Sequence, residues 1–211
     1  MAEYTLYCFA QSGNAYKAAL MLNLCGADWE TRFVDFLNGE TRSPEYRAIN
    51  PMGEVPILEF GDRRMTQTGA ILHYLVDRFG RFGPETDDER YEILRWMFFD
   101  NHKLTSYNAT LRFLTFVQQQ DESPVTEFLR GRGRAAFEVL DGHLAERSFV
   151  VGERPTIADF SLCGYLFWPE ELGVDWADYP GIGAWLGRIE NLPGWVHPYE
   201  LMPGHPMPGR E

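Results

Sequence analysis

The stretch VPILEFGDRRMTQTGAILHYL, residues 55–75, contains a strand, a tight turn, a second strand and the beginning of a helix. Its first six residues form a short apolar run, and Gly61-Asp62 is a two-residue hairpin signal before the second strand. From Thr68 to Arg78 apolar residues recur at helical spacing on one face. The stretch therefore predicts a β-hairpin that leads directly into a helix.

The residues before this stretch predict a strand, a helix and another strand. Residues 3–9 and 29–36 are rich in aromatic and β-branched types, and residues 15–25 show helical spacing that stops at Gly26. An irregular crossover over 38–50 connects them to the hairpin. The order β-α-β, crossover, β-β-α predicts an α/β domain with a mixed, four-stranded sheet.

The second half of the chain has only helical patterns. Two glycines and a proline near residue 80 mark a linker, and beyond it apolar residues step by three and four over 104–114 and 125–144. We therefore expect an α/β plus all-α protein. The expected division is an α/β domain over 1–80, a linker over 81–87 and an all-helical domain over 88–211.

The composition is that of a globular protein and excludes several classes of function. The chain has 211 residues, of which 45% are hydrophobic, and its net charge is −12 without a basic stripe, so a nucleic-acid partner is not expected. No apolar run approaches the roughly 18 residues needed to span a bilayer, and the first residues lack the features of a signal peptide. We therefore expect no membrane partner. Because there are three cysteines and no CxxC pair, we do not expect a disulfide framework, and we expect a cytoplasmic protein. The five histidines have no metal-ligand spacing, so no metal site is predicted.

Pro56 is unusual because a proline inside a strand removes a donor from the sheet. One interpretation is a cis bond between Val55 and Pro56 at the start of the strand, which would present the backbone of Val55 to an extended peptide. The other interpretation is an edge-strand proline without a ligand. Proline placement alone favours the edge strand.

Two segments at the start of helices are candidates for binding an anion. Gln67-Thr68 lies where the hairpin meets a helix, whose first N–H groups and dipole can hold a carboxylate. The alternative is that Thr66 or Thr68 only caps the helix. Ser12-Gly13-Asn14 begins the first helix, where a hydroxyl or amide can donate to a thiolate or can simply act as an N-cap.

Thr156-x-x-Asp159 fits a capping box and predicts helix nucleation and not chemistry.

Taken together, these segments resemble the soluble glutathione S-transferase family over nearly the whole chain. The matching segments are the strand–Ser12-Gly13-Asn14–helix opening, residues 50–58, Gln67-Thr68 with the helix that follows, and residues 156–159. The resemblance implies a thioredoxin-like first domain, a helical second domain and a homodimer. Among the members of the family, the chain looks most like the bacterial Ser-type branch.

The resemblance also implies roles for residues of the first domain. Val55, before a cis-Pro56, would pair its backbone with the cysteinyl residue of glutathione, and Gln67 and Thr68 would hold the γ-glutamyl end. Ser12 would be the first candidate for the residue that activates the thiol and Asn14 the second, with Tyr7 as a tyrosine-type alternative. Arg42 is a candidate helper for the outer carboxylate of glutathione. Glu54 is a further candidate for binding glutathione. It departs from the family pattern, since relatives often have a basic residue at this position that contacts glutathione, and the resemblance therefore implies a weaker hold on the glycyl end.

The implied function is a glutathione transferase that activates the glutathione thiol for attack on a hydrophobic, electrophilic small molecule. The helical domain would contribute the electrophile pocket, with Tyr107, Phe113 and Trp168 as aromatic candidates. Glutathione would be a co-substrate, and conjugation, isomerisation, dehalogenation and ether cleavage would all use the same glutathione site. The alternative is a catalytically weak family member that serves as a binding or protein-interaction module.

Overall fold

The computed structural model describes residues 2–207, which divide into two compact units. One unit consists of residues 2–81 together with residues 192–207, and the other is Phe82–Asn191. The sequence-based division had placed the C-terminal segment with the helices. It groups with the α/β unit, to which long-range contacts tie it. In one of these the Tyr16 hydroxyl donates to the carbonyl of Val196 at 3.0 Å, across 180 residues, and periodicity does not reveal such a contact. Residues 208–211 of the predicted helical domain lie outside the described residues.

The α/β unit has a mixed, four-stranded sheet, as the sequence predicts. Its strand order is β2-β1-β3-β4, with β1 parallel to β2 and the other neighbours antiparallel. Leu6 faces Leu58 in the register between β1 and β3, and both side chains are fully buried. The strands are β1 (Tyr4–Cys8), β2 (Trp29–Phe33), β3 (Ile57–Phe60) and β4 (Arg63–Thr66).

The helices alternate with these strands and then continue alone, so the predicted fold class, a thioredoxin-like domain followed by a helical one, is confirmed. Those of the α/β unit are α1 (Gly13–Leu24), α2 (Pro44–Ile49) and α3 (Thr68–Phe79). Those of the helical unit are α4 (Asp87–Phe99), α5 (Thr105–Arg112), α6 (Pro124–Leu144), α7 (Ile157–Cys163), α8 (Pro169–Leu172) and α9 (Pro180–Glu190). The C-terminal segment adds α10 (Pro198–Leu201).

Each unit has its own core. In the α/β unit α1 packs against both β1 and α3, and nearly all of its residues are buried, which agrees with its small and apolar composition. In the helical unit α6 packs on α5 and α9, and α4 packs on α7. Trp185 of α9 and Phe160 of α7 are fully buried there.

The helical pattern over 104–114 corresponds to α5, which is flanked by two wide (π) turns, Asp100–Leu104 and Phe113–Val117. At the first, the N–H of Thr105 bonds to the carbonyl of Asp100, five residues earlier, and the Thr105 hydroxyl donates to Asp100 Oδ1 at 2.7 Å. Asp100 Oδ2 also accepts from the Ser161 hydroxyl at 2.6 Å. The wide turn therefore accompanies a buried polar contact with α7, which the apolar spacing does not reveal.

Candidate functional site

A small cleft in the α/β unit brings together most of the binding residues that the sequence predicts. Its volume is about 30 Å³, enough for about two water molecules, so a larger ligand would lie along its open side. The cleft is lined by Asn14, Asn50, Glu54, Val55, Pro56, Gln67 and Thr68. Three chain segments, far apart in sequence, therefore meet at one place.

Hydrogen bonds join two of these segments and support the third. The Thr68 hydroxyl, at the start of α3, donates to the carbonyl of Asn14 at the start of α1, at 3.1 Å. The carbonyl of Glu54 accepts from the Tyr46 hydroxyl at 2.9 Å and from Asn50 Nδ2 at 2.8 Å. Asn50 and Tyr46 are both buried, so the backbone before Val55 has a rigid support.

Pro56 lies at the entrance of an internal strand, and the edge-strand interpretation is wrong. The bond between Val55 and Pro56 is cis, and β3 begins one residue later with β1 on one side and β4 on the other. The Val55 side chain packs against a buried cluster that includes Tyr7 and Ile57. Within residues 2–207, no hydrogen bond uses the N–H or C=O of Val55. Both groups are therefore available to a ligand.

The N-terminus of α3 has no side-chain cap. Its N-cap residue is Gln67, which forms no capping bond, and its first turn contains no acidic residue. Thr68 donates to Asn14 instead, so the interpretation of Thr66 or Thr68 as a simple cap is wrong. The first N–H groups of α3 are therefore left for an anion.

Gln67 has a positive φ of 67°, a backbone conformation that residues other than glycine rarely adopt. Its Nε2 lies 3.3 Å from Glu54 Oε2 and 2.9 Å from Met52 Sδ, so the amide spans the cleft toward the segment before Val55. Backbone strain of this kind is concentrated at ligand sites.

Ser12 is the N-cap of α1, and its Oγ accepts from the N–H of Ala15 at 3.2 Å. No acceptor for its hydroxyl proton occurs among the described residues, so this proton can still be donated to a ligand. Ser12 is buried and does not line the cleft, whereas Asn14 is half-buried and does.

Tyr7 does not line the cleft, and its side chain contacts other residues. Its hydroxyl donates to Glu59 Oε2 at 3.2 Å, and the guanidinium of Arg32 lies 4.6 Å from the centre of its ring. Burial and the Glu59 carboxylate raise the pKa of the Tyr7 phenol. A phenol in this environment is poorly suited to activate a thiol.

Two other candidates of this unit differ in their relation to the cleft. Arg42 is exposed at the end of the short 3₁₀ turn Glu40–Arg42 and does not line the cleft. Glu54 does line it. Asn50 is a site residue that the sequence analysis did not single out, although it lies in the matching segment 50–58. The signal that could have identified Asn50 is chemical, because an asparagine buried beside a turn needs hydrogen-bond partners for its side-chain amide.

The aromatic candidates of the helical unit have separate surroundings. Tyr107 is half-buried and packs edge-on against Phe128, with 6.4 Å between ring centres. Trp168 is buried under the guanidinium of Arg112, 3.9 Å above its ring. Phe113 is half-buried at the start of the second wide turn.

A cavity of about 250 Å³ in the helical unit is lined by described residues that include none of these three candidates. Its lining is Thr115, Phe116, Arg130, Glu170, Glu171, Leu172 and Gly173.

No three His, Cys, Asp or Glu side chains of the described chain are grouped so as to hold a metal ion. Over the same residues, no helix is both long and apolar enough to cross a membrane.

Comparison with known proteins identifies related chains over nearly the full length. The family model for the N-terminal domain of glutathione S-transferase matches residues 2–77, and the one for the C-terminal domain matches residues 104–193. A maleylacetoacetate isomerase of Rhizobium meliloti (strain 1021) is 32% identical, with 95% of this chain and 99% of that protein covered.

Two solved structures extend the comparison. A crystal structure of a glutathione S-transferase from Pseudomonas fluorescens is 36% identical with a TM-score of 0.87, covering 92% of this chain and 98% of that one. A glutathione transferase homologue from Drosophila mojavensis with bound glutathione is 26% identical with a TM-score of 0.83, covering 95% of each chain. This chain therefore belongs to the glutathione S-transferase family.

Proposed function

We propose that this protein is a glutathione transferase that binds glutathione in the cleft of the α/β unit and uses its thiolate against an electrophilic small molecule. The observation that carries the proposal is the meeting of Val55, the cis-Pro56 and the uncapped start of α3 in one cleft. The bound glutathione in the Drosophila mojavensis homologue supports the choice of ligand. The family relationship does not favour the alternative of a non-catalytic interaction module.

The cleft suits the two ends of a γ-glutamyl-cysteinyl unit. The free N–H groups of α3 would bind the carboxylate of the γ-glutamyl residue, because they carry the positive end of the helix dipole. The N–H and C=O of Val55 would pair with the cysteinyl backbone, as when a peptide adds a strand to a sheet. These local donors offset the unfavourable net charge of −12 for an anionic ligand.

Ser12 is our first candidate for stabilising the thiolate, as in the Ser-type branch, and Asn14 is the second. A free thiol with a pKa of about 8.5 is mostly protonated at neutral pH. A hydroxyl donor beside the N-terminus of α1 would lower this value, and each unit requires only about 1.4 kcal/mol. The available proton of Ser12 meets this requirement.

Replacing Ser12 tests its role in stabilising the thiolate, and replacing another N-cap residue controls for the loss of capping. Ser12→Ala removes the bond from Ala15, and Thr86→Ala removes the equivalent bond at α4, where the Thr86 side chain accepts from Glu89 at 3.1 Å. Each variant should lose about 1 kcal/mol of stability. Only Ser12→Ala should also raise the pKa of the bound thiol and lower kcat/KM at neutral pH by about tenfold. An unchanged pH–rate profile would reject Ser12, and a loss confined to Asn14→Ala would assign the role to Asn14.

Binding itself is measured by titration calorimetry and thermal shift of the full chain with glutathione. Saturable binding at millimolar glutathione should raise Tm, since a ligand of the folded state stabilises it. A flat titration together with an unchanged melting curve would contradict the proposal and favour the interaction module.

Glutathione-dependent isomerisation is a second candidate reaction, because a relative that matches over 95% of this chain is named maleylacetoacetate isomerase. In a conjugation the new carbon–sulfur bond remains in the product, whereas an isomerisation regenerates glutathione. Assays with a nitro-aryl acceptor and with a cis-olefinic diketo acid, each monitored for loss of free thiol, separate the two reactions. Thiol consumption indicates conjugation, and turnover without it indicates isomerisation.

We assign binding of the electrophile to the helical domain, 88–211 in the sequence-based division, with 1–80 binding glutathione and 81–87 as linker. Tyr107, Phe113 and Trp168 remain the aromatic candidates. Tyr107→Ala should raise KM for the acceptor and leave KM for glutathione unchanged. A change in KM for glutathione alone would remove Tyr107 from this role. A cytoplasmic location also remains part of the proposal.

A homodimer is supported by exposed aromatic residues on α4. Tyr91 and Phe98 are 69% and 70% exposed and lie seven residues apart, so they share one face of the helix. A second copy of the chain on this face would remove both aromatic side chains from water, which favours association. Light scattering should show a dimer that Phe98→Glu dissociates, while Val125→Glu, at another exposed apolar residue, leaves it intact. A monomeric wild-type protein would reject the dimer.

A further inference from the structure

We propose that Glu54, together with Gln67, receives the free α-ammonium group of the γ-glutamyl residue and makes the site selective for an unmodified amino-acid head. This inference rests on the proposed function. It assigns a specificity-determining role to the residue that departs from the family pattern, at the γ-glutamyl end and not at the glycyl end, because the Glu54 carboxylate faces Gln67.

The position of Glu54 is well supported. Its carbonyl accepts hydrogen bonds from the buried Tyr46 and Asn50 at 2.9 and 2.8 Å, so the backbone from which its side chain extends is held in place. Its carboxylate lines the same cleft as Val55 and receives Gln67 Nε2 at Oε2, 3.3 Å away. Glu54 is therefore a defined part of the cleft.

The contact between Glu54 and Gln67 also orients the Gln67 amide. Its donor end faces Glu54 Oε2 and Met52 Sδ, which leaves the carbonyl Oε1 as its remaining polar group. In the described part of the chain, no donor bonds to Gln67 Oε1 or to Glu54 Oε1. This end of the cleft therefore offers hydrogen-bond acceptors and a negative charge.

Acceptors on one side and the donors of α3 on the other match a zwitterion. The ammonium and carboxylate of an α-amino-acid head are attached to one carbon. The protein groups that bind them must therefore lie no farther apart than about the length of one side chain. Gln67 provides this spacing, because it is the N-cap of α3 and also contacts Glu54. An ammonium between Glu54 and Gln67 would form charge-assisted hydrogen bonds. Without a cation there, the Glu54 carboxylate would only repel an anionic ligand.

The test compares glutathione with an analogue in which a glutaryl group replaces the γ-glutamyl group, so that only the amino group is lost. Calorimetric Kd values are measured for wild type, Glu54→Gln and the control Glu30→Gln, which changes an exposed acid of β2. Wild type should bind glutathione about tenfold more tightly than the analogue. Glu54→Gln should reduce this ratio to about twofold by weakening glutathione alone, and Glu30→Gln should leave it unchanged.

The possible results separate this inference from the function on which it rests. If Glu54→Gln weakens both ligands equally, leaves the ratio unchanged or tightens glutathione, the inference is wrong while the function stands. If wild type binds neither ligand, the proposed function fails and the inference fails with it. Because Glu54→Gln keeps the size of an exposed side chain, a melting curve equal to that of wild type shows that the comparison concerns binding and not folding.

Discussion

The starts of helices α3 and α7 show two opposite solutions to the same problem. At α7, Thr156 Oγ1 accepts from the N–H of Ala158 at 3.3 Å, and Asp159 Oδ2 accepts from the N–H of Thr156 at 2.8 Å, with all three residues fully buried. At α3, Gln67 makes no capping bond, and Ala70 stands at the third helical position that Asp159 holds in α7.

The difference teaches which helix ends are structural and which are open to a ligand. The first N–H groups of every helix need partners. At α7 the chain supplies them, with Asp159 Oδ1 also accepting from Val150 at 2.9 Å and from Trp185 Nε1 at 2.9 Å. At α3 none of the residues 2–207 accepts a hydrogen bond from the N–H groups of the first turn, and the helix begins at a cleft.

Removing the α7 cap should have the largest effect. Asp159→Ala leaves the buried N–H groups of Val150 and Trp185 without acceptors, at about 1–3 kcal/mol each, and removes the cap bond from Thr156. We expect urea unfolding to show a loss of about 3–5 kcal/mol.

A matched control for Asp159→Ala is Asp175→Ala, which removes an exposed cap bond to Ala177. It should lose no more than about 1 kcal/mol. Equal losses in the two variants would show that the buried network adds nothing to the cap.

Placing a carboxylate at the start of α3 should block the ligand. In Ala70→Asp a fixed negative charge in the first turn would compete with the γ-glutamyl carboxylate that we propose to bind the same N–H groups, while Ala70→Asn adds equal bulk without charge. We expect Ala70→Asp to weaken glutathione binding by about tenfold, or about 1.4 kcal/mol, and to keep or raise stability. Equal effects of both variants in calorimetry would indicate bulk and not charge.

The backbone strain at Gln67 should separate stability from binding. Gln67→Gly relieves a positive φ and should raise the free energy of unfolding by about 0.5–1 kcal/mol, while glutathione affinity falls because the amide is lost. Gln119→Gly, at another glutamine with a positive φ of 53°, should stabilise without changing affinity. Glutathione binding that is unchanged in Gln67→Gly would remove the amide from the site.

The smallest effect concerns pH and acts on the α7 side of the comparison. His143 Nε2 lies 2.8 Å from the carbonyl of Val150, whose N–H bonds to Asp159. Burial lowers the pKa of His143 below its ordinary value of 6.5, with Arg147 and Arg95 acting in the same direction and the Val150 carbonyl and Glu92 opposing. The unfolded chain therefore binds this proton more readily, and stability that is complete above pH 6.5 declines as pH falls through that value.

Unfolding curves between pH 7.5 and 5.5 measure this loss, which should be at most about 1 kcal/mol. His143→Gln keeps a donor for the Val150 carbonyl and should flatten the pH dependence. His73, whose pKa burial also lowers, leaves a residual slope. A pH dependence in His143→Gln equal to that of wild type would show that this imidazole contributes nothing to it.

Much of the fold could be predicted because its signals are local. The alternation of strands and helices up to Arg78 and the Thr156–Asp159 capping box depend on neighbouring residues, and the structure confirms both. The association of the segment after Leu192 with the α/β unit could not be predicted, since it rests on contacts such as Tyr16–Val196 across most of the chain.

Less of the site could be predicted from residue types alone. For Pro56 and Thr68, proline placement and capping preference favoured the wrong interpretation, because strand order and the Asn14 acceptor are tertiary facts. The family resemblance singled out every residue that lines the cleft except Asn50. It did not reveal that Glu54 and Gln67 touch, or that Tyr7 is bound to Glu59.

The sequence by itself determined which segments become strands and helices, and it determined that α7 would cap its own first turn, because these outcomes depend on residues a few positions apart. Only the tertiary structure decided that α3 would begin uncapped beside Val55 and Asn14, because residues separated by up to 54 positions must first be brought into hydrogen-bonding distance. A helix end that the chain leaves open becomes a binding site only through what the fold places next to it.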